Sequence, residues 1–463
     1  MMGRAIFLFM ALLFTAAPLL ADENSDLGLI PDVVRNQPER QEAPRMLSKN
    51  FFRLYIEDAL TVSSFRETLS VPVPIDSPRW QNRTSVDLTR RWEVAQSLSF
   101  ILSSRLSAFE AENLPFPSQG SAQMNFREVY LSEETFPGTF LEAGRINIRN
   151  GVALGFNPTD YFKSRSGLTQ ASQDPSSLRE NRLGTVMFHL HKIWDSGAAS
   201  IIYAPRLQAA QPITASGPAS LDPLFGQTND SDRILLTLSY DIASFSPQML
   251  FYHESAITRV GLNVSKVICP SLVGLFEWSA AKEPDLSERA VTFGKMTGSL
   301  PAMTPVIPQQ AAGASLQQDS AFGLSWSGPS KLTVNLEYHF HQSGLNHEEL
   351  NRWFSLGAAN PFLASELWYV RQYAFDQQEP WMQQELFVRA DWPDSLVKNL
   401  ELGAIAFISP YDESTTTQMS GAYFLSSRST IASYISFSSG GIETVNGSVP
   451  QVSSAVLQLT RYF

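Results

Sequence analysis

Two histidine pairs stand out among the residues whose types and spacing could do chemistry. His189 and His191, and likewise His339 and His341, are separated by one residue, so both members of a pair share one face of a β-strand. Imidazole is a common metal ligand, and a metal site is one interpretation of each pair. The sequence shows no cysteine or carboxylate cluster beside them, so we predict no metal and no cofactor.

Sequence motifs of catalysis are missing. The chain has no Gly-x-Ser-x-Gly elbow, no phosphate-binding loop and no dinucleotide fingerprint. We therefore predict that the protein is not an enzyme and has no catalytic residues. A Ser-His-Asp hydrolase remains an alternative, because such triads are defined by geometry and not by sequence order.

Composition narrows the remaining classes. The net charge is −11, which disfavours nucleic-acid binding, since basic patches supply most of that affinity. Cys269 is the single cysteine, so an intramolecular disulfide framework cannot stabilise the chain.

The charged and histidine residues occur on segments that alternate between polar and apolar positions. In Lys331–His341 every even-numbered residue is apolar and every odd-numbered residue is polar, and 184–191, 232–241 and 384–391 repeat this pattern. Alternate side chains of a strand point to opposite faces, so each strand has one apolar and one polar face. We count about 18 such strands, within a range of 16–20.

The strands and their connections together indicate the fold class. Several strands are long enough for a tilted membrane crossing. Short turns, such as 194–197 and 392–395, roughly alternate with long loops, such as 205–231 and 341–382. We therefore predict an all-β transmembrane antiparallel up-and-down barrel over 51–463, with periplasmic turns and extracellular loops. A soluble β-sandwich or propeller is the alternative.

The N-terminal residues have the features of a secretory signal peptide. Arg4 supplies a positive charge, residues 5–20 are almost wholly apolar, and Ala21 precedes an acidic stretch. We predict a signal peptide over 1–21, with an uncleaved anchor as the alternative. Residues 22–50 then form a periplasmic segment that is a candidate docking site for a periplasmic partner.

The last strand carries a resemblance to a known class of proteins. It alternates from Val456 and finishes in Phe463. This ending resembles the C-terminal signal of Gram-negative outer-membrane proteins, which implies recognition by the barrel-assembly machinery and a place in outer-membrane lipid. With about 18 strands and long loops, the chain is also similar to the alginate-export-type porin-like channels. The segment Gly144–Arg149, which leads to an Asn-Pro-Thr-Asp sequence, resembles strands of that broad group.

Two long connections have distinctive patterns. A barrel of about 18 strands encloses more space than side chains fill. The glycines and the Asn157-Pro158 step of residues 148–183 predict a shaped loop that folds into this space, with an ordinary extracellular loop as the alternative. In 341–382, Asn346 caps a predicted helix that runs to Phe354, and 367–375 is predicted as a further strand or part of a folded loop.

The polar faces supply a candidate pore lining of mixed charge, which argues against the arginine-rich lumen that the resemblance to alginate channels implies. Charged rings set ion preference at a constriction. We predict that Arg145 and Arg149 form a basic patch facing Asp160; charges that pair and merely solvate the wall are the alternative. The candidates are Arg53, Glu57, Asp87, Arg105, Arg145, Arg149, Asp160, His189, Glu337, Glu385, Arg389 and Asp391, with Lys331, His191 and His339 on the same polar faces.

These observations favour an outer-membrane channel for a polar or charged solute. The alternatives are an outer-membrane hydrolase and a barrel component of a secretion or electron-transfer assembly.

Overall fold

The computed structural model describes residues 51–463, apart from 73–76, 115, 117–120, 214–222, 244 and 310–312. The predicted signal peptide and the predicted periplasmic segment lie outside the described residues. Within the described ranges, no helix is both long and apolar enough to cross a membrane.

In this described part of the chain, 18 antiparallel strands form one closed sheet, which confirms the predicted fold class and strand number. Each strand pairs with its neighbours in the sequence. The first and last strands close the barrel, with Tyr55 opposite Tyr462 and Ser64 opposite Ser453. The strands are β1 (Phe51–Phe65), β2 (Trp80–Glu93), β3 (Leu98–Ala111), β4 (Ala122–Phe136), β5 (Thr139–Ile146), β6 (Thr185–Trp194), β7 (Gly197–Ala204), β8 (Arg233–Tyr240), β9 (Phe245–Glu254), β10 (Ile257–Cys269), β11 (Leu272–Glu283), β12 (Ser315–Ser327), β13 (Thr333–His341), β14 (Gln384–Trp392), β15 (Leu400–Ile408), β16 (Thr415–Ser426), β17 (Ser429–Ser439) and β18 (Gln451–Tyr462).

The two faces of the wall differ as the sequence pattern predicts. On β8, Leu236 is 40% exposed and lies opposite Ile201 of β7 and Phe251 of β9, which are also exposed. On β2, by contrast, Arg83, Ser85 and Asp87 are buried inside the barrel. An apolar outer face and a polar inner face are what a strand needs between lipid and a polar lumen.

Helices occur in the long loops. They are α1 (Pro175–Glu180), α2 (Phe225–Thr228), α3 (Leu286–Thr297), α4 (His347–Ala359) and α5 (Ala364–Asp376), and a 3-10 turn (Pro361–Leu363) joins the last two. The predicted helix is present as α4. Asn346 and Glu349 cap it reciprocally, each side chain accepting the backbone N–H of the other. The segment 367–375 is helical within α5 and is not a further strand.

Helices α3, α4 and α5 form a cap at the end of the barrel where the long loops emerge. Trp353 is fully buried at its centre, and its ring meets the rings of Trp368 and Trp381 edge-on. Val71 and Val445 join the same apolar core from two other loops. Shared burial of this apolar surface holds several loops together as one body.

The outer face can be tested with two adjacent residues of β8. Leu236→Arg is expected to lower the free energy of unfolding in lipid vesicles by about 2–4 kcal/mol, because the guanidinium enters hydrocarbon. Thr237→Arg, on the inner face, is expected to lower the free energy of unfolding clearly less than Leu236→Arg does. Urea titration followed by tryptophan fluorescence measures both losses, and equal losses would contradict the assignment of the faces.

Candidate functional site

Residues 147–184, between β5 and β6, form a segment that lies against the inner face of the wall; we call it the crossing segment. Val152 and Ala153 donate their backbone N–H groups to Oε2 of Glu277 on β11, at 3.0 and 2.9 Å. Thr159 donates its backbone N–H and its hydroxyl to Oε1 of the same carboxylate, at 3.1 and 2.6 Å. With the side-chain amide of Asn157, which donates to Oε2 at 3.4 Å, one inward-facing carboxylate accepts five hydrogen bonds from the segment.

A second carboxylate of the wall also binds the crossing segment. Glu337 on β13 accepts the backbone N–H groups of Leu154 and Gly155, at 2.8 and 2.9 Å. Four consecutive N–H groups thus end on two carboxylates from the wall. Hydrogen bonds to a charged acceptor are stronger than neutral ones, so this contact fixes the depth of the segment in the barrel.

Two glycines make this close approach feasible. A Cβ atom added to Gly151, where φ is +93°, would lie 2.3 Å from Oε1 of Glu277. A Cβ atom at Gly155 would lie 2.6 Å from both the His339 and Phe387 rings. The glycines that suggest a shaped loop in the sequence therefore mark its contact with the wall.

Asp160 organises the interior of the crossing segment. Its carboxylate forms a bidentate ion pair with Arg182, with hydrogen bonds of 2.9 and 3.0 Å. Nε of Arg179 lies 3.5 Å from the same carboxylate. Burial alone would raise the pKa of Asp160, but the guanidinium groups of Arg182 and Arg179 hold it below its usual range. The ion pair is local to the segment and connects its first half to its last turn.

The predicted basic patch of Arg145 and Arg149 facing Asp160 is therefore not what the structure shows. Arg149 is half-exposed and lies 3.7 Å from Glu180. Arg145 is buried, donates to the backbone carbonyls of Phe126 and Pro223, and lies over the ring of Phe225. Arg145 therefore connects β4 to the loop before α2, and Asp160 finds its cationic partners within the crossing segment instead.

Farther along the chain, the crossing segment also contacts the far wall. The carbonyl of Thr169 accepts a hydrogen bond from Arg83 on β2. Asp174, the N-cap of α1, is back on the side of the first anchor, where it forms an ion pair at 3.0 Å with Arg389 on β14, the neighbour of β13. Strands β2 and β11 are nine positions apart around the closed sheet, so they stand on opposite sides of the barrel. The segment therefore crosses the lumen from wall to wall.

The wall of β1 to β4 is polar and internally paired. Asp87 is fully buried between Arg105 and Arg127, at 3.0 and 2.9 Å, and Glu57 pairs with Arg83. Three arginines here face two carboxylates, so the pairing cancels all but one positive charge of this group.

The remaining predicted lining residues fall into three groups. His189 and Glu385 lie on the inner face in carboxylate–imidazole pairs, with Glu142 and His339 respectively. Arg389 and Asp391 are paired at 2.8 Å, and Arg53 faces inward with its guanidinium 5.8 Å from the ring centroid of Tyr55. Lys331 is a correction: β13 begins after it, and its exposed side chain pairs with Asp394 across a turn.

A triad-like arrangement, which the sequence did not reveal, lies under the cap. His341 connects Asp319 through Nδ1, at 2.8 Å, and Ser343 through Nε2, at 3.0 Å. The Ser343 hydroxyl also accepts a hydrogen bond from Arg289 at 2.9 Å, and both Ser343 and His341 are only 1% exposed. The sequence signal was the i, i+2 spacing of His341 and Ser343, but Asp319 comes from another strand.

Solved structures with a similar fold are known. No family model and no curated protein matches the chain. Among solved structures, it is similar to OccK5 (OpdH) of Pseudomonas aeruginosa, with a TM-score of 0.53 and 8% identity over 90% of this chain and 98% of the other. OccK8 (OprE) of the same organism gives 0.52 and 11% over 90% and 98%. OccK11 (OpdR) gives 0.51 and 10% over 90% and 97%. The chain thus has the fold of porin-like outer-membrane barrels.

Glu277→Gln is expected to loosen the crossing segment. The substitution keeps the shape of the side chain but removes the charge that strengthens its five hydrogen bonds, each worth about 1.5–3 kcal/mol. We expect faster protease cleavage within residues 147–184 and a lower unfolding temperature. Glu133→Gln, on an exposed outward position of β4, is the matched control. Equal cleavage rates in wild type and both variants would contradict the anchoring role.

Proposed function

We propose that the protein is an outer-membrane channel through which small polar or charged solutes diffuse, and that the crossing segment sets its size limit. The observation that carries this proposal is the segment itself, held at one wall by Glu277, Glu337 and Arg389 and at the opposite wall by Arg83. It divides a lumen that the barrel wall alone would leave wide.

The crossing segment narrows the lumen, and polar groups of the segment and the wall contact a passing solute. A solute that passes beside the segment meets hydroxyl, amide and guanidinium groups, which replace part of its water shell. The wall charges near Asp87 and Glu57 are mutually paired, so they give polarity without one dominant sign. The proposal therefore favours selection by size and polarity over strong selection by charge.

Purified protein in planar bilayers is expected to give discrete conductance steps, because the crossing segment leaves a passage of fixed cross-section. The paired wall predicts a ratio of cation to anion permeability close to one, measured from the reversal potential in a salt gradient. A bilayer that stays sealed at all voltages would contradict the channel, and strong preference for one sign would contradict the paired wall.

The hydrolase alternative has one specific observation in its favour, the hydrogen-bonded series Asp319, His341 and Ser343. Two features oppose it. The nucleophile would be buried under the cap, and its hydroxyl oxygen already accepts a hydrogen bond from Arg289. A serine nucleophile needs both a free path for the substrate and a base that takes its proton.

A fluorophosphonate probe, which reacts with activated serine hydroxyls, is therefore expected to leave the native protein unlabelled. Labelling that disappears in Ser343→Ala but persists in Ser239→Ala would overturn this expectation and support a hydrolase.

The partners follow from the same proposal. We infer that the last strand, ending at Phe463, is recognised by the barrel-assembly machinery, and that outer-membrane lipid covers the apolar face. In the barrel, the N–H of Phe463 donates to the carbonyl of Leu54 at 2.9 Å, which extends closure by one residue. Residues 22–50 remain the predicted docking site for a periplasmic partner.

A further inference from the structure

We propose that Glu142, His189 and His191 form a binding site for a divalent first-row transition-metal ion, such as Zn²⁺, on the inner wall of the barrel. One oxygen of the carboxylate and one nitrogen of each imidazole lie within 4.8 Å of one another. The sequence suggested the two histidines but not the carboxylate, which comes from the neighbouring strand.

The strand register builds this cluster. Glu142 of β5 lies directly opposite His189 of β6, and His191 follows two residues later on the same face. Oε2 of Glu142 is 2.9 Å from Nδ1 of His189 and 4.0 Å from Nδ1 of His191. The two imidazole rings stack with centroids 4.6 Å apart, and the Phe140 ring stacks on His191 at 4.9 Å.

These separations suit a small ion. A tetrahedral Zn²⁺ with bonds of about 2.0–2.1 Å holds its donor atoms about 3.4 Å apart, between the two distances from Glu142. Two imidazole nitrogens among three ligands favour Zn²⁺, Cu²⁺ or Ni²⁺, because Ca²⁺ and Mg²⁺ take oxygen ligands. Three protein ligands leave a further position for water or a passing solute.

The hydrogen bonding of the cluster also points to a ligand. Nδ1 of His191 is buried yet has no hydrogen-bond partner among the described residues. A carboxylate–imidazole pair alone would account for Glu142 and His189 but not for this nitrogen. Ser132 lies opposite Glu142 on β4 and hydrogen-bonds to it, which orients the carboxylate as an outer-shell partner would.

The position of the cluster separates it from the crossing segment. Glu142 is close to the short turn at Gly138, and His191 is close to the next short turn, after Trp194. All three side chains are partly exposed, between 12% and 21%, so an ion has access from the lumen. Bound metal would add positive charge to this part of the wall.

Metal binding is tested on tag-free protein in detergent, freed of metal with a chelator. Calorimetric titration with Zn²⁺ is expected to show one site with a dissociation constant in the micromolar range or tighter. Titration with Co²⁺ is expected to give the visible absorption bands of a site with nitrogen and oxygen ligands. Wild-type protein that binds Zn²⁺ only at millimolar concentration would overturn the proposal.

Matched variants assign the site. Glu142→Gln and His191→Asn are each expected to weaken Zn²⁺ binding at least about tenfold, since loss of even an outer-shell partner costs about 10- to 100-fold. His253→Ala, on the outer face of β9, is the control and is expected to bind as the wild type does. Heat-dependent mobility on gels shows whether each barrel is folded. If Glu142→Gln does not fold, the Zn²⁺ affinity of His191→Asn alone tests the site.

Undiminished binding in both folded ligand variants would also overturn the site. Because calorimetry does not require conductance, a channel that conducts without binding Zn²⁺ and a sealed barrel that binds Zn²⁺ are distinguishable results.

Discussion

The structure depends on one constraint: in hydrocarbon, every backbone N–H and C=O group of a sheet must be paired within the protein. Closure of β1 against β18 meets it, because neither strand is left with a free edge. The alternation of apolar and polar residues follows, since each strand then has one face to lipid and one to the lumen.

Closure creates a second problem, which the crossing segment addresses. A wall of this circumference leaves an interior that inward side chains cannot fill. The chain fills part of it with backbone, and backbone inside a barrel needs hydrogen-bond partners. Glu277 and Glu337 provide them at one wall, and Arg83 provides one at the other. Much of the lumen's charge is therefore structural, holding loops or neighbouring charges in place.

The sequence predicted the barrel well because its signal is local. Alternation along Thr333–His341 can be read without knowing any partner, and so can the Asn346 cap of α4. Pairings between distant residues were not readable. Asp160 pairs with Arg182 of its own segment, whereas Arg145 donates to the carbonyls of Phe126 and Pro223, which lie far from it in the sequence. Glu142 joins two histidines only because β5 and β6 align them, and nothing near His189 in the sequence indicates this.

The central claim is that the crossing segment sets the size limit of the lumen. The most direct test is a liposome-swelling assay with uncharged sugars of increasing size, comparing wild type with a variant in which a short Gly-Ser linker replaces residues 151–180. The variant is expected to admit sugars that the wild type excludes, while both admit the smallest. An identical size limit in two folded barrels would contradict it.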